Sequence, residues 1–302
     1  MISKQNDLFI GCMCAFLCEA LFGLSYIFTK QATAGASVLA LLGWRFLIAM
    51  LCMHICVVFH IASIDLKKKN IKPLLIIAFF SPLTYFIGET IGISKTTASE
   101  SGVFLACIPI SALLASTFIL HKKPTARQIA GILTTFSGIL VTVFAVGMST
   151  SLSAVGYVFL SIAVTSYAFY SIFVERASVF TGAEITYVML AFGAIIFAGG
   201  AFIEAAATGT LSVLSSLPFR NTSFLTAILY QGIGCSVIAF FLSNTAIAKI
   251  GVNRASSFIG IATVVSIISG VFFLNEPFSV PQMIGAVIII TGVCIANTGT
   301  AP

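Results

Sequence analysis

Ten stretches of this chain are apolar for about twenty residues or more, the length an α-helix needs to cross the hydrocarbon of a bilayer. They run 8–30, 36–60, 72–95, 98–120, 124–145, 152–174, 182–205, 222–247, 253–273 and 279–299. Lipid offers backbone groups no water to bond, so segments of these lengths can only be helices. The connections are short: the two longest, Ile61–Ile71 and Ala206–Asn221, leave no room for a soluble domain. Composition agrees, with 59% of residues hydrophobic and 8% charged, where soluble domains carry about 25% charged residues. The fold class expected is an all-α membrane protein of ten transmembrane helices. The first apolar run shows no small-residue cleavage signal and is expected to be retained as a span.

The chain also repeats itself. Laid over one another with an offset of 154, Lys95–Thr142 and Lys249–Ala296 align without a gap. Phe104 meets Phe258, Phe118 meets Phe272, Gln128 meets Gln282, Gly131 meets Gly285 and Gly138 meets Gly292. Gly11–Lys30 and Gly156–Glu175 correspond more weakly at an offset of 145. Two halves are therefore expected, 1–147 with spans one to five and 148–302 with spans six to ten. Five is odd, so the second half must enter the membrane upside down relative to the first. Inverted repeats of this kind mark transporters, with the substrate site near mid-membrane between the halves.

Lysine and arginine set the orientation, since they concentrate on cytoplasmic loops. With the N-terminus inside, the inner face receives Lys4, Lys67, Lys68, Lys69, Lys72, Lys122, Lys123, Arg127, Arg176, Lys249 and Arg254, against Lys30, Lys95 and Arg220 outside. Both termini are expected to be cytoplasmic, in a multi-pass protein of the cell (plasma, or inner) membrane. The net charge of +6 is thus a topology signal and not a nucleic-acid footprint. The eight cysteines all fall in apolar runs without paired spacing to histidine, which argues against a metal site or a disulfide frame. No phosphate-cradling loop and no nucleophile with a partnering base is present, so no cofactor and no catalytic residue is expected.

Several of these residues carry a family likeness. An aromatic-Gly-x-Ser stretch precedes a lysine (Phe22, Gly23, Ser25, Lys30), and Trp44-Arg45-Phe46 lies in the second span. The turn between spans four and five, Pro124…Gln128-Ile129-Ala130-Gly131…Gly138, has a second copy in Leu274-Asn275-Glu276-Pro277…Gln282-Met283-Ile284-Gly285…Gly292. Over nearly its whole length the chain resembles a ten-helix, EamA-type member of the drug/metabolite transporter superfamily. It departs from that pattern where Lys122 stands in place of the glutamate kept at Glu276, Thr263 in place of the proline kept at Pro109, and Phe22 in place of a tryptophan. The resemblance implies a cavity lined by spans one, three, four, six, eight and nine, with spans five and ten as peripheral buttresses.

Within the spans, ionisable residues are functional candidates by default, because a charge at the bilayer centre costs at least ~2.5 kcal/mol. Glu19, mid-span in the first helix, must be protonated, paired or turned to a watery cavity. Its placement resembles the membrane-embedded glutamate of the small multidrug-resistance proteins, and it is a candidate site for a proton or for a substrate's cationic group. Arg45 and Glu89 lie at similar depth in the second and third spans, close enough in depth to pair, either structurally or with a substrate carboxylate competing for Arg45. Tyr26, Tyr85, Tyr167, Tyr170, Tyr230, Gln231 and Asn244 are candidate lining groups, since a tyrosine joins a ring face to a hydroxyl. Pro82 and Pro109, near the centres of spans three and four, are candidate hinges.

The function expected is a secondary transporter, and an exporter, of a small organic metabolite such as an amino acid or an amine-bearing compound, working by alternating access. The expected partners are that substrate, protons as coupling ion, and membrane lipid; the expected state is a monomer or weak dimer. The alternative within transport is a phosphorylated-sugar or nucleotide-sugar exchanger, which calls for several intramembrane cations where only Arg45 is clearly inside a span. An integral-membrane enzyme or sensor is a more distant alternative, lacking a catalytic cluster or an output domain.

Overall fold

The computed structural model describes residues 2–33, 35–67, 69–96, 101, 104–146, 153–274 and 279–298. All regular structure there is helical. Span one lies within Ile2–Thr33, and span two is Val38–Val58. Span three, Lys72–Ile93, span six, Ala154–Arg176, span seven, Gly182–Ala207, and span eight, Thr222–Ile250, follow the expected boundaries closely. Span five is Ala126–Val146 and span ten Val280–Asn297. Span nine is two pieces, Val252–Ser257 and Ile259–Leu274, and Leu211–Arg220 forms a short helix between spans seven and eight. Nine helices among the described residues are long and apolar enough to cross a membrane; the fourth place is held by a shorter apolar helix, Phe104–Ile119. Residues 98–100, 102 and 103, where the fourth span was expected to begin, lie outside the described residues, as do Asn275, Glu276 and Pro277.

Local chemistry explains where the helices start. Ser37, Ser153 and Asn221 each accept a backbone N–H from the first turn that follows. The repeated glutamines have a structural cause. Gln128 and Thr125 bond each other's backbone N–H, and Gln282 and Ser279 do the same. Both are reciprocal N-terminal caps, which satisfy two orphan donors at once. Pro82 interrupts span three: Ser81 leaves the helical region (φ −144°, ψ 121°), and the Thr84 hydroxyl donates to the carbonyls of Phe79 and Phe80 at 3.1 and 3.0 Å. Pro109 sits in the first turn of Ile108–Ile119, where its missing N–H has no helical partner to lose.

Corresponding helices of the two halves run antiparallel. A side chain at Gly131 would strike Gly292 and Ala296 of span ten, and one at Gly138 would strike Gly285 and Ile289, so spans five and ten cross through four matched glycines. In spans two and seven Leu39 lies by Gly200, Gly43 by Phe197 and Ala201, and Phe46 by Gly193. Span eight packs on span one as the second part of span three packs on span six, and span nine packs on span one as span four does on span six. Even the register repeats: Gly11 abuts Lys249 and Ile250, and its counterpart Gly156 abuts Lys95 and Thr96. The two halves are inverted copies.

One end of the bundle collects the ion pairs. Lys69 reaches Glu184 at 2.7 Å, Lys122 pairs with Glu175, and Lys249 pairs with Asp7. This charged end holds the loops that precede spans three, five, seven and nine.

Candidate functional site

A cavity of about 190 Å³ lies between the halves, at mid-depth and toward the end opposite the ion pairs. Its walls come from the first span (Glu19, Phe22, Ser25), the second (Arg45), the third (Ser81, Tyr85, Phe86, Glu89, Ile93) and the fourth (Leu105, Ala106, Ile108). The sixth adds Tyr167 and Tyr170, the eighth Phe240 and Ser243, and the ninth Ile259, Ala262 and Thr263. The expected six spans all contribute. Span five contributes as well, through Ile139 and Val143, so it is not a peripheral buttress alone; span ten lines none of the cavity.

Glu19 is 7% exposed and makes no hydrogen bond or ion pair with any described residue. The break at Ser81–Pro82 and the rings of Phe22, Tyr167 and Tyr170 bound the same space. A carboxyl held there has only the cavity in which to find a partner. Arg45, 6% exposed, is fixed differently: its Nε donates to Ser236 Oγ at 2.8 Å, and its guanidinium lies 4.5 Å from the Phe86 ring centroid and 5.6 Å from that of Phe46. The ring faces stabilise the cation electrostatically. The expected Arg45–Glu89 ion pair does not form. Tyr85, one helical turn earlier on the same face, reaches Glu89 first and donates its hydroxyl to Oε1 at 2.8 Å. Both groups therefore line the cavity without a direct salt bridge between them.

The remaining candidates divide between the wall and the layer behind it. Tyr85, Tyr167 and Tyr170 form a run of rings, with centroids 5.9 and 5.5 Å apart. Asn244 is fully buried behind that wall: it accepts the Tyr170 hydroxyl at 2.7 Å and donates to Thr186 Oγ1 at 3.0 Å, so it holds Tyr170 in place rather than lining the space. Gln231 is likewise buried away from the cavity. Tyr230 stacks on Phe28 and donates to the Leu21 carbonyl at 2.8 Å, tying span eight to span one. Pro82 and Pro109 adjoin the lining residues Ser81 and Ile108 without being lining residues themselves. The Tyr26 side chain lies outside the described residues. Phe22, Phe86, Phe240 and Ser243 complete the wall; Phe22 belongs to the aromatic-Gly-x-Ser stretch, but nothing in the sequence separates Phe86 and Phe240 from the other members of a set of 28.

A larger lateral groove between spans two and seven, lined by Gly43, Trp44, Ala198, Phe202 and Leu214 among others, carries no ionisable side chain. Trp44 donates its indole N–H to the Leu214 carbonyl there, at 3.0 Å. The central cavity thus has the chemistry that can select a solute: two carboxyls, one guanidinium and a sleeve of aromatic rings.

Known proteins share this design. The profile of the EamA-like transporter family matches residues 9–144 and again residues 154–298. The chain is 29% identical to the "Uncharacterized transporter YcxC" of Bacillus subtilis (strain 168), over 94% of this chain and 91% of that protein. It is 25% identical to the "Uncharacterized transporter YetK" of the same organism, over 98% and 88%. A solved crystal structure superposes with a TM-score of 0.74 at 18% identity, covering 97% of this chain and 98% of the other.

Proposed function

The chain belongs to the EamA-like transporter family, and from that premise we propose that it is a secondary transporter that exports an amine-bearing small organic metabolite, amino acids included, by alternating access. The observation that carries this reading is Glu19, a buried carboxyl without a partner among the described residues, facing a cavity between inverted halves. An organic ammonium group, or a proton, is the partner the site lacks. In this reading Arg45 takes a substrate carboxylate, Glu89 tempers that interaction, and Tyr85, Tyr167, Tyr170 and, from span one, Tyr26 receive the apolar body. Asn244 and Gln231 support the wall from behind. The break at Pro82 and the turn before Pro109 are the hinges. The units that move are the halves 1–147 and 148–302, in a multi-pass protein of the cell membrane.

The positive-inside rule supports a cytoplasmic charged end with both termini on that side. The cavity lies toward the opposite end, which in this orientation is the outer side of the membrane. Substrate ammonium and proton compete for one carboxylate, so apparent affinity falls as the medium is acidified.

A melting-temperature screen of the purified protein tests the substrate class, since a ligand that binds only the folded state raises its stability. Amino acids, polyamines and amine-bearing aromatic compounds are expected to include stabilisers, and their neutral analogues without the amine are not. A set in which sugar phosphates stabilise and amines do not would overturn the reading.

A further inference from the structure

The charged end is shut by a small set of bonds that join spans four, six and nine. Span eight turns into span nine at Gly251, whose φ of +78° is open to glycine at little cost. The turn points the Val252 N–H at Glu175, near the end of span six, and Glu175 Oε2 accepts it at 2.8 Å. The other carboxylate oxygen, Oε1, pairs with Lys122 from the loop after span four. One residue further on, Asn253 Oδ1 accepts the Ser116 hydroxyl of span four at 2.5 Å. Through these contacts the start of span nine packs on span four. Beyond them the two spans meet, among the described residues, through apolar side chains only, Ile259 beside Leu105 and Ile108, and Ala106 in one cluster with Val264. Leu105, Ala106 and Ile108 on span four and Ile259, Ala262 and Thr263 on span nine line the cavity. Among the described residues Ile259–Leu274 has no comparable packing on span four.

We propose that Glu175 is a conformational latch: oriented by the Val252 N–H of its own half, its carboxylate clasps Lys122 of the other half and keeps the charged end closed. The Ser116–Asn253 bond is its second point. The idea rests on alternating access, which requires the charged end to open; the Lys122–Glu175 pair and the Ser116–Asn253 bond cross between the halves there, as does the bond from Arg176 Nη2 to the Ile119 carbonyl at 2.6 Å. Glu175 is suited to the role because both of its oxygens are engaged, one by a cation and one by a backbone donor, and charge-assisted hydrogen bonds are about twice as strong as neutral ones. A latch of this kind acts on the population of the two conformations and touches no substrate.

The test needs no substrate either. Spin labels carried on unnatural ketone residues at the exposed positions Lys123 and Ala248 report the separation across the charged end in lipid nanodiscs. The parent protein is expected to give mainly the short distance. Glu175→Gln is expected to raise the long-distance fraction about tenfold, the effect of losing one charge-assisted bond. Ser116→Ala is expected to shift it in the same direction by less. If Glu175→Gln is not recovered folded, Ser116→Ala decides alone. Distance distributions that superimpose on the parent's would overturn the latch, and would leave the substrate reading, which is judged by ligand stabilisation, untouched.

Discussion

Replacing Glu19 by glutamine is expected to abolish transport while leaving the protein as stable as before, or more stable. The side chain keeps its shape and loses only the charge. Removing one partner of a buried, desolvated charge pair costs about 2–5 kcal/mol, so uptake of an amine-bearing substrate into vesicles should fall about a hundredfold or more. Folding has no such stake, because no described residue bonds Glu19. An ionisable group placed at mid-membrane is itself a burden on the fold. A gain or no change in melting temperature with loss of transport is the mark of a group kept for function at the expense of stability. Full uptake by Glu19→Gln, with the parent's pH dependence, would remove this residue from the mechanism.

The largest effect on stability is expected at the crossing of spans five and ten. A Cβ at Gly138 would stand 2.8 Å from the Gly285 carbonyl oxygen and 2.8 Å from the Ile289 nitrogen. Both are backbone atoms, so no rotamer change can relieve the clash. Close approach of this kind is how small residues bring membrane helices together. Gly138→Val forces the helices apart and is expected to cost about 3 kcal/mol or more, at the upper end of overpacking effects. The matched position Gly292 should respond alike, since a Cβ there would meet the Thr135 nitrogen at 2.5 Å and the Gly131 carbonyl at 2.7 Å. A clear drop in melting temperature and recovery is the expected result. A Gly138→Val protein that melts with the parent would mean that the two halves do not meet along this seam.

Much of the fold could be read from the residues because the bilayer restricts the alternatives so strongly. Apolar length set the helices, and the odd number of spans per half set the inversion that the antiparallel Gly131–Gly292 and Gly138–Gly285 contacts display. The matched Gln128 and Gln282 stood out as a repeat before their reciprocal caps with Thr125 and Ser279 explained them. Depth was legible and azimuth was not. Glu19 and Arg45 announce themselves because a charge inside a span is costly wherever it points. Asn244 and Ser243 are neighbours in the chain, yet one step around the helix puts Ser243 on the cavity and Asn244 behind Tyr170. Arg45 and Glu89 match in depth, but sequence does not tell which partner each finds, and Tyr85 takes Glu89. The Tyr85–Glu89 bond that replaces their pair is an i,i+4 contact on one helix and was open to reading.

The most direct test is whether the cavity is a water-filled pathway reached from one face. Thr263 lines it from span nine and carries no proposed role in binding. With the eight native cysteines replaced by alanine, Thr263→Cys should react with a membrane-impermeant thiol reagent applied to intact cells, and a stabilising amine from the melting screen should slow that reaction. A Thr263→Cys protein that reacts only with a lipid-soluble reagent, from either side alike, would show that the space between the inverted halves is closed to water and is not the route of transport.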